Sequence, residues 1–239
     1  MKKIYLLIVL MLMPILVIAK EYEVKDLDLK LSISDDWFVF TRENIKNNAT
    51  LKEFNITEEY MEKAFNDNKA YIDALPKDFS IELFVTVPVD NLEMHNLSNF
   101  PDKLIDQKAK EVIKDLVDAN YKLYDNGKYK FMEISFFDKA TSMYIYRFYT
   151  VVNSKGIGFH LQKAEKISDD EIKILKEIVD SVNFEIKDEL KMESKALQKE
   201  IDNFLHPTNK IILRIVIYAI VGGVIGVLTA IISKKKKMR

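Results

Sequence analysis

Leu27, Leu29, Leu31 and Ile33 alternate with polar neighbours, which predicts a strand buried on one face. The Ser34-Asp35-Asp36 turn and a short strand through Trp37 to Thr41 would close it into a hairpin. Thr57 precedes Glu58 and Glu59, a cap followed by carboxylates suited to the positive end of a helix dipole. Tyr71, Ile72 and Ala74 predict the next strand. Ile81, Leu83, Val85, Val87 and Val89 on one face predict another, extending an antiparallel sheet. After Pro101, Leu104, Ile105, Ala109, Val112, Ile113, Leu116 and Val117 fall on one side of a helix that would cover the sheet. From Tyr121 a meander follows, with a hairpin signal at Asp125-Asn126-Gly127 and strands around Met132–Phe136, Met143–Val152 and Ile157–Leu161. Several of these strands are apolar on both faces, so helices are expected on both sides of the sheet. Ser168 and Glu171 form a capping box for a last helix with the stripe Ile172, Leu175, Ile178, Val179 and Val182. Residues 20–187 thus read as an α+β domain, an antiparallel sheet flanked by helices in an α/β/α sandwich.

The two ends of the chain follow another rule. Ile4 to Ile18, behind Lys2 and Lys3 and before Ala19, has the basic, apolar, small-residue order of a signal peptide over residues 1–19; an uncleaved anchor is the other reading. Residues 188–210 read as a charged juxtamembrane stalk helix with Leu190, Leu197, Ile201 and Phe204 near one face. Residues 211–233 are apolar enough for a transmembrane helix. Its stretch from Ile215 to Ser233 gives about 28 Å of helix against a hydrocarbon core of about 30 Å. Lys234 to Lys237 and Arg239, in the tail 234–239, belong on the cytoplasmic side, which leaves the preceding domain outside a single-pass chain. Gly222, Gly226 and Ala230 recur every four residues. They offer a packing face for another membrane protein or a second copy, or reflect the ordinary frequency of small residues in such spans.

Charge narrows the partners. Residues 20–210 hold 28 basic and 37 acidic side chains, a balance that opposes binding to nucleic acid, so the lipid bilayer is the partner the sequence implies. There is no cysteine, so an external domain must rest on its core and not on disulfides. No catalytic, cofactor-binding or metal-ligating motif is present: His95, His160 and His206 stand in no metal spacing, and Gly156-Ile157-Gly158 lacks a third glycine and is placed in a hairpin turn. Asp169-Asp170-Glu171 reads as helix capping and not as a calcium loop. Arg42 and Arg147, the arginines of the domain, each lie beside an aromatic strand. Either binds a carboxylate ligand or serves as a structural, stacked arginine.

The run Leu29-Lys30-Leu31-Ser32-Ile33-Ser34-Asp35-Asp36-Trp37-Phe38-Val39-Phe40-Thr41-Arg42, followed by the Thr57-capped helix and Tyr71-Ile72-Asp73-Ala74, resembles the secreted, membrane-anchored bacterial domains of PsbP-like fold. The resemblance covers roughly residues 24–187 and implies an antiparallel sheet between helices, without an assigned activity. It supplies no site residues. Two function classes follow. One is an anchored, non-enzymatic binding or accessory module without a cofactor. The alternative is an extracytoplasmic hydrolase whose carboxylates, such as Asp35, Asp36, Glu82 or Glu133, meet only in the fold.

Overall fold

A computed structural model describes residues 19–187 apart from Asn91 and Glu93. The expected leader up to residue 18, the stalk, the membrane helix with Gly222, Gly226 and Ala230, and the basic tail lie outside the described residues. Among the described residues no helix is long and apolar enough to cross a membrane.

Strand β1 (Ala19–Val24), which the hydropathy pattern did not show, runs antiparallel to β2 (Leu29–Ser34). Asp28, at φ 50°, helps reverse the chain between them. Leu29, Leu31 and Ile33 point inward at no more than 1 % exposure, as their alternation requires. The Ser34–Trp37 turn closes through the Trp37 N–H and the Ser34 carbonyl, at 3.2 Å, and leads into β3 (Phe38–Thr41). The expected hairpin does not form. β2 is already paired on both edges, with β1 and with β10 (Asn183–Phe184), and β3 joins a different sheet.

That second sheet takes the strands that follow, up to the last helix. Asn48 caps α1 (Ala49–Glu53), its Oδ1 accepting from Thr50 and Leu51 N–H, and Thr57 caps α2 (Glu58–Asp67) through Tyr60 N–H. Strands β4 (Ala70–Leu75) and β5 (Glu82–Val89) follow, then α3 (Asp102–Ile113). The apolar stripe predicted α3 to run on to Val117. Instead Leu116 N–H turns back onto Ile113 C=O, Asp118 takes φ 51°, and Val117 opens β6 (Val117–Asp125) opposite Phe137. The meander continues through β7 (Lys130–Asp138), β8 (Met143–Val152) and β9 (Lys155–Lys163). The sheet order is β3-β4-β5-β9-β8-β7-β6, and every pairing is antiparallel. Helix α4 (Asp169–Asp180) starts at the predicted capping box, with Ser168 and Glu171 bonded reciprocally.

One face of the long sheet, carrying Ile72, Leu83, Val85, Phe148, Phe159 and Leu161, packs on the inner side chains of β2 and on Leu175, Ile178 and Val179 of α4. The opposite face bears two separate apolar clusters. Phe40, Leu75 and Phe84 lie under Leu51, Met61 and Phe65 of α1 and α2. Ile134, Phe136, Ile145 and Val151 lie under Ile105 and Ala109 of α3. Helices flank both faces of this α+β fold, as the sequence predicts, with the three-stranded sheet sharing one of them.

Candidate functional site

Strand β9 runs between those two clusters and belongs to neither on that face. Ile157, Phe159 and Leu161 enter the large core on one side of the sheet, while the alternate positions are Gly156, Gly158, His160 and Gln162. A polar seam therefore crosses an otherwise apolar interior. The two glycines lie within the strand and not in the turn where the sequence placed them. Asn153 and Ser154, at φ 51° and 63°, make the reversal.

The glycines have a steric reason. A Cβ on Gly156 would stand 1.9 Å from Tyr149 Oη. One on Gly158 would stand 3.3 Å from Thr86 Oγ1 and 3.7 Å from Arg147 Cδ and Nε. Bare backbone on β9 thus lets the Tyr149 and Arg147 side chains lie against it. Arg147 is opposite His160 in register and only 2 % exposed. Among the described residues its Nε and Nη2 have no hydrogen-bond partner, and neither do Tyr149 Oη, Thr86 Oγ1 and His160 Nδ1. The guanidinium lies 5.8 Å from the Phe136 ring, and among the described residues no carboxylate forms an ion pair with it.

The electrostatics follow from this burial. Loss of hydration lowers the Arg147 pKa to about 9, with Tyr149 opposing the change. Burial, and then the neighbouring Arg147 charge, hold His160 well below the ordinary imidazole value, so the ring is neutral at pH 7. That ring stacks on Phe84 at 5.4 Å and 26°. Tyr149 is raised by burial, against the pull of Arg147.

The far end of the seam is acidic. Gln162 Nε2 donates to Glu82 Oε2 at 2.8 Å, and Asp73 is the neighbouring carboxylate on β4. Both acids are enclosed, at 2 % exposure for Asp73 and 0 % for Glu82. Burial raises Asp73 to about 7, a hydrogen bond with Glu82 opposing it. Burial, and then the Asp73 charge, push Glu82 well above the ordinary carboxylate range. Among the described residues Asp73 Oδ1 and Glu82 Oε1 face no donor.

The two arginines singled out in the sequence are not brought together. Arg42 has its fork filled: Nε donates to Ala70 C=O at 2.7 Å, Nη2 to Phe65 C=O at 3.1 Å and Nη1 to Asn66 Oδ1 at 3.0 Å. It also stacks 4.5 Å over Tyr71, so it clamps the end of α2 to the start of β4. Nor do the four nominated carboxylates meet. Asp35 and Asp36 are exposed in the turn, Glu133 is held by Tyr146 and Lys176 on the opposite face, and Glu82 lies in the seam. Sequence reasoning missed Asp73, Thr86, Tyr149, His160 and Gln162. The legible signal was Gly156, Gly158, His160 and Gln162 alternating with Ile157, Phe159 and Leu161: one polar face on a strand of a sheet apolar on both. Among the described residues no three His, Asp or Glu side chains gather to hold a metal ion.

No protein-family model and no curated protein matches the chain. Solved structures similar to it include cyanobacterial PsbP (CyanoP) from Synechocystis sp. PCC 6803, with a TM-score of 0.43 and 10 % identity, covering 71 % of this chain and 94 % of that one. A protein from Bacteroides thetaiotaomicron VPI-5482 is similar at a TM-score of 0.41 and 11 % identity, over 87 % of this chain and 79 % of that one.

Proposed function

We propose that the chain is a membrane-tethered module that holds its α+β domain outside the cytoplasm and binds a ligand in the polar seam around Arg147. The observation that carries the reading is the buried guanidinium, whose Nε and Nη2 meet no partner among the described residues. Burying an ion without a partner costs several kcal/mol, a large share of the roughly 5–15 kcal/mol that holds a domain folded, and an acceptor-bearing occupant offsets it. The tether rests on the apolar segment 211–233 ending at Lys234 to Lys237. The acidic domain and the small-residue row of the span fit an accessory role beside another membrane protein. A hydrolase would have to draw on Asp73 and Glu82. Both lie at the end of the seam away from the Arg147 donors.

Two measurements test the proposal. The full chain, extracted in mild detergent and denatured, is expected to release a small molecule detectable by mass spectrometry, and Arg147→Met is expected to lose it. Protease added to intact cells is expected to digest the domain. An unreactive domain alongside digested controls removes the external placement, and a protein with no Arg147-dependent ligand removes the binding role.

A further inference from the structure

Among the described residues, the unpartnered atoms at the Arg147 end of the seam can all donate: two guanidinium nitrogens, two hydroxyls and, in one tautomer, His160 Nδ1. Nε and Nη2 form one edge of the guanidinium, the edge whose two N–H groups point the same way and match a pair of oxygens. Thr86 Oγ1 and Arg147 Nε lie around the bare Cα of Gly158, and Tyr149 Oη lies over Gly156. Both hydroxyls can donate. A positive charge, a bidentate donor edge and two hydroxyls make up a site whose complement is acceptor-rich and negative. Water would accept the hydrogen bonds but leave the charge uncompensated, and a metal cation would be repelled by the guanidinium.

We infer that the Arg147, Tyr149 and Thr86 end of the seam takes up a compact oxyanion, the carboxylate or phosphate group of the ligand, held on the Nε and Nη2 edge of Arg147. This rests on the seam being the binding site and adds the chemistry of what it holds. The acidic end lies beyond His160 and Gln162, away from the guanidinium.

The test is thermal unfolding of the full chain in detergent at pH 7, after unfolding and refolding to strip any carried molecule. Sodium acetate and inorganic phosphate are titrated separately, with sodium chloride at matched ionic strength as reference. Tm is expected to rise with the logarithm of acetate or phosphate concentration beyond the chloride reference. Acetate marks a carboxylate and phosphate a phosphoryl group. Arg147→Met is expected to abolish the shift. Arg147→Lys, which keeps the charge but loses the paired edge, and Tyr149→Phe are each expected to weaken the apparent Kd by roughly tenfold or more. Should Arg147→Met not fold, the lysine and phenylalanine variants carry the comparison. An undiminished shift in the variants overturns the inference, and so does the lack of any shift in the wild type. If the wild type shows no shift yet still releases an Arg147-dependent molecule on denaturation, the oxyanion is wrong and the binding role stands. If both measurements are blank, both readings fall.

Discussion

Arg147→Met is expected to stabilise the ligand-free protein, the reverse of the usual result for a substitution in a core. Burial depresses Arg147 to about 9, a displacement that corresponds to at most about 5 kcal/mol against the charged form in the folded state. Methionine keeps most of the aliphatic stem and removes the charge. Against that gain stand the lost contact with Phe136, worth about 0.5–2 kcal/mol, and a small cavity where the guanidinium was, costing about 1 kcal/mol. The net expectation is a gain of about 2 kcal/mol, or roughly 4–8 °C in Tm for a domain of this size. The pH dependence gives a second check. The folded pKa is depressed, so the cost is present at every pH below about 9 and fades above it, as folded wild type sheds a proton that the unfolded chain retains. The advantage of the methionine variant should therefore be constant near neutrality and shrink above pH 9. Urea unfolding followed by the fluorescence of Trp37, the sole tryptophan, which packs against the large core, reads both. A loss of more than about 1 kcal/mol in the stripped protein refutes the reasoning, because it would mean that the guanidinium has a partner whose removal is costly.

Gly156→Ala drives a Cβ to 1.9 Å from Tyr149 Oη and should cost about 1–3 kcal/mol by overpacking. Combining it with Tyr149→Leu should recover most of that loss in the same urea assay. Glu82→Gln keeps the shape and removes the ionisable group. Because the folded pKa of Glu82 is raised, the unfolded chain loses its proton first as pH climbs past 4.5, and wild type loses stability relative to the variant. The difference should widen by about 1.4 kcal/mol per pH unit above pH 4.5, and a difference independent of pH would show that Glu82 is ionised in the fold. Arg42→Ala should cost about 1–3 kcal/mol by leaving the Phe65 and Ala70 carbonyls without a donor. Arg42→Lys should recover less than half, since an ammonium cannot span both; full rescue in thermal melts would assign the role to charge alone.

What could be read from the chain was set by neighbours close in sequence. The alternation of Leu29, Leu31 and Ile33 marks a strand because side chains on a strand point to alternate faces. The Ser168 and Glu171 capping box marks a helix start because its hydrogen bonds span three residues. The helix after Pro101 was legible in its first turns but not at its end, where a short-range turn at Leu116 and the pairing of Val117 with Phe137 prevail over a stripe that reads on unbroken. The Asp125-Asn126-Gly127 reversal was legible for the same local reason.

By itself the sequence determined an α+β class, most of the antiparallel strands, the Thr57 and Ser168 caps and two candidate arginines, because periodicity and capping depend on residues a few positions apart. Only the tertiary structure decided that β2 pairs with β1 and β10 and not with β3, since strand partnership depends on which edges are already occupied. It also decided between the arginines. Arg42 meets backbone carbonyls, acceptors that every residue carries and no sequence pattern marks, whereas Arg147 lies against the bare backbone of Gly158 on a neighbouring strand. Asp73 and Glu82, Thr86 and Gly158, Arg147 and His160 become neighbours through register across β4, β5, β9 and β8, and register is a property of the assembled sheet.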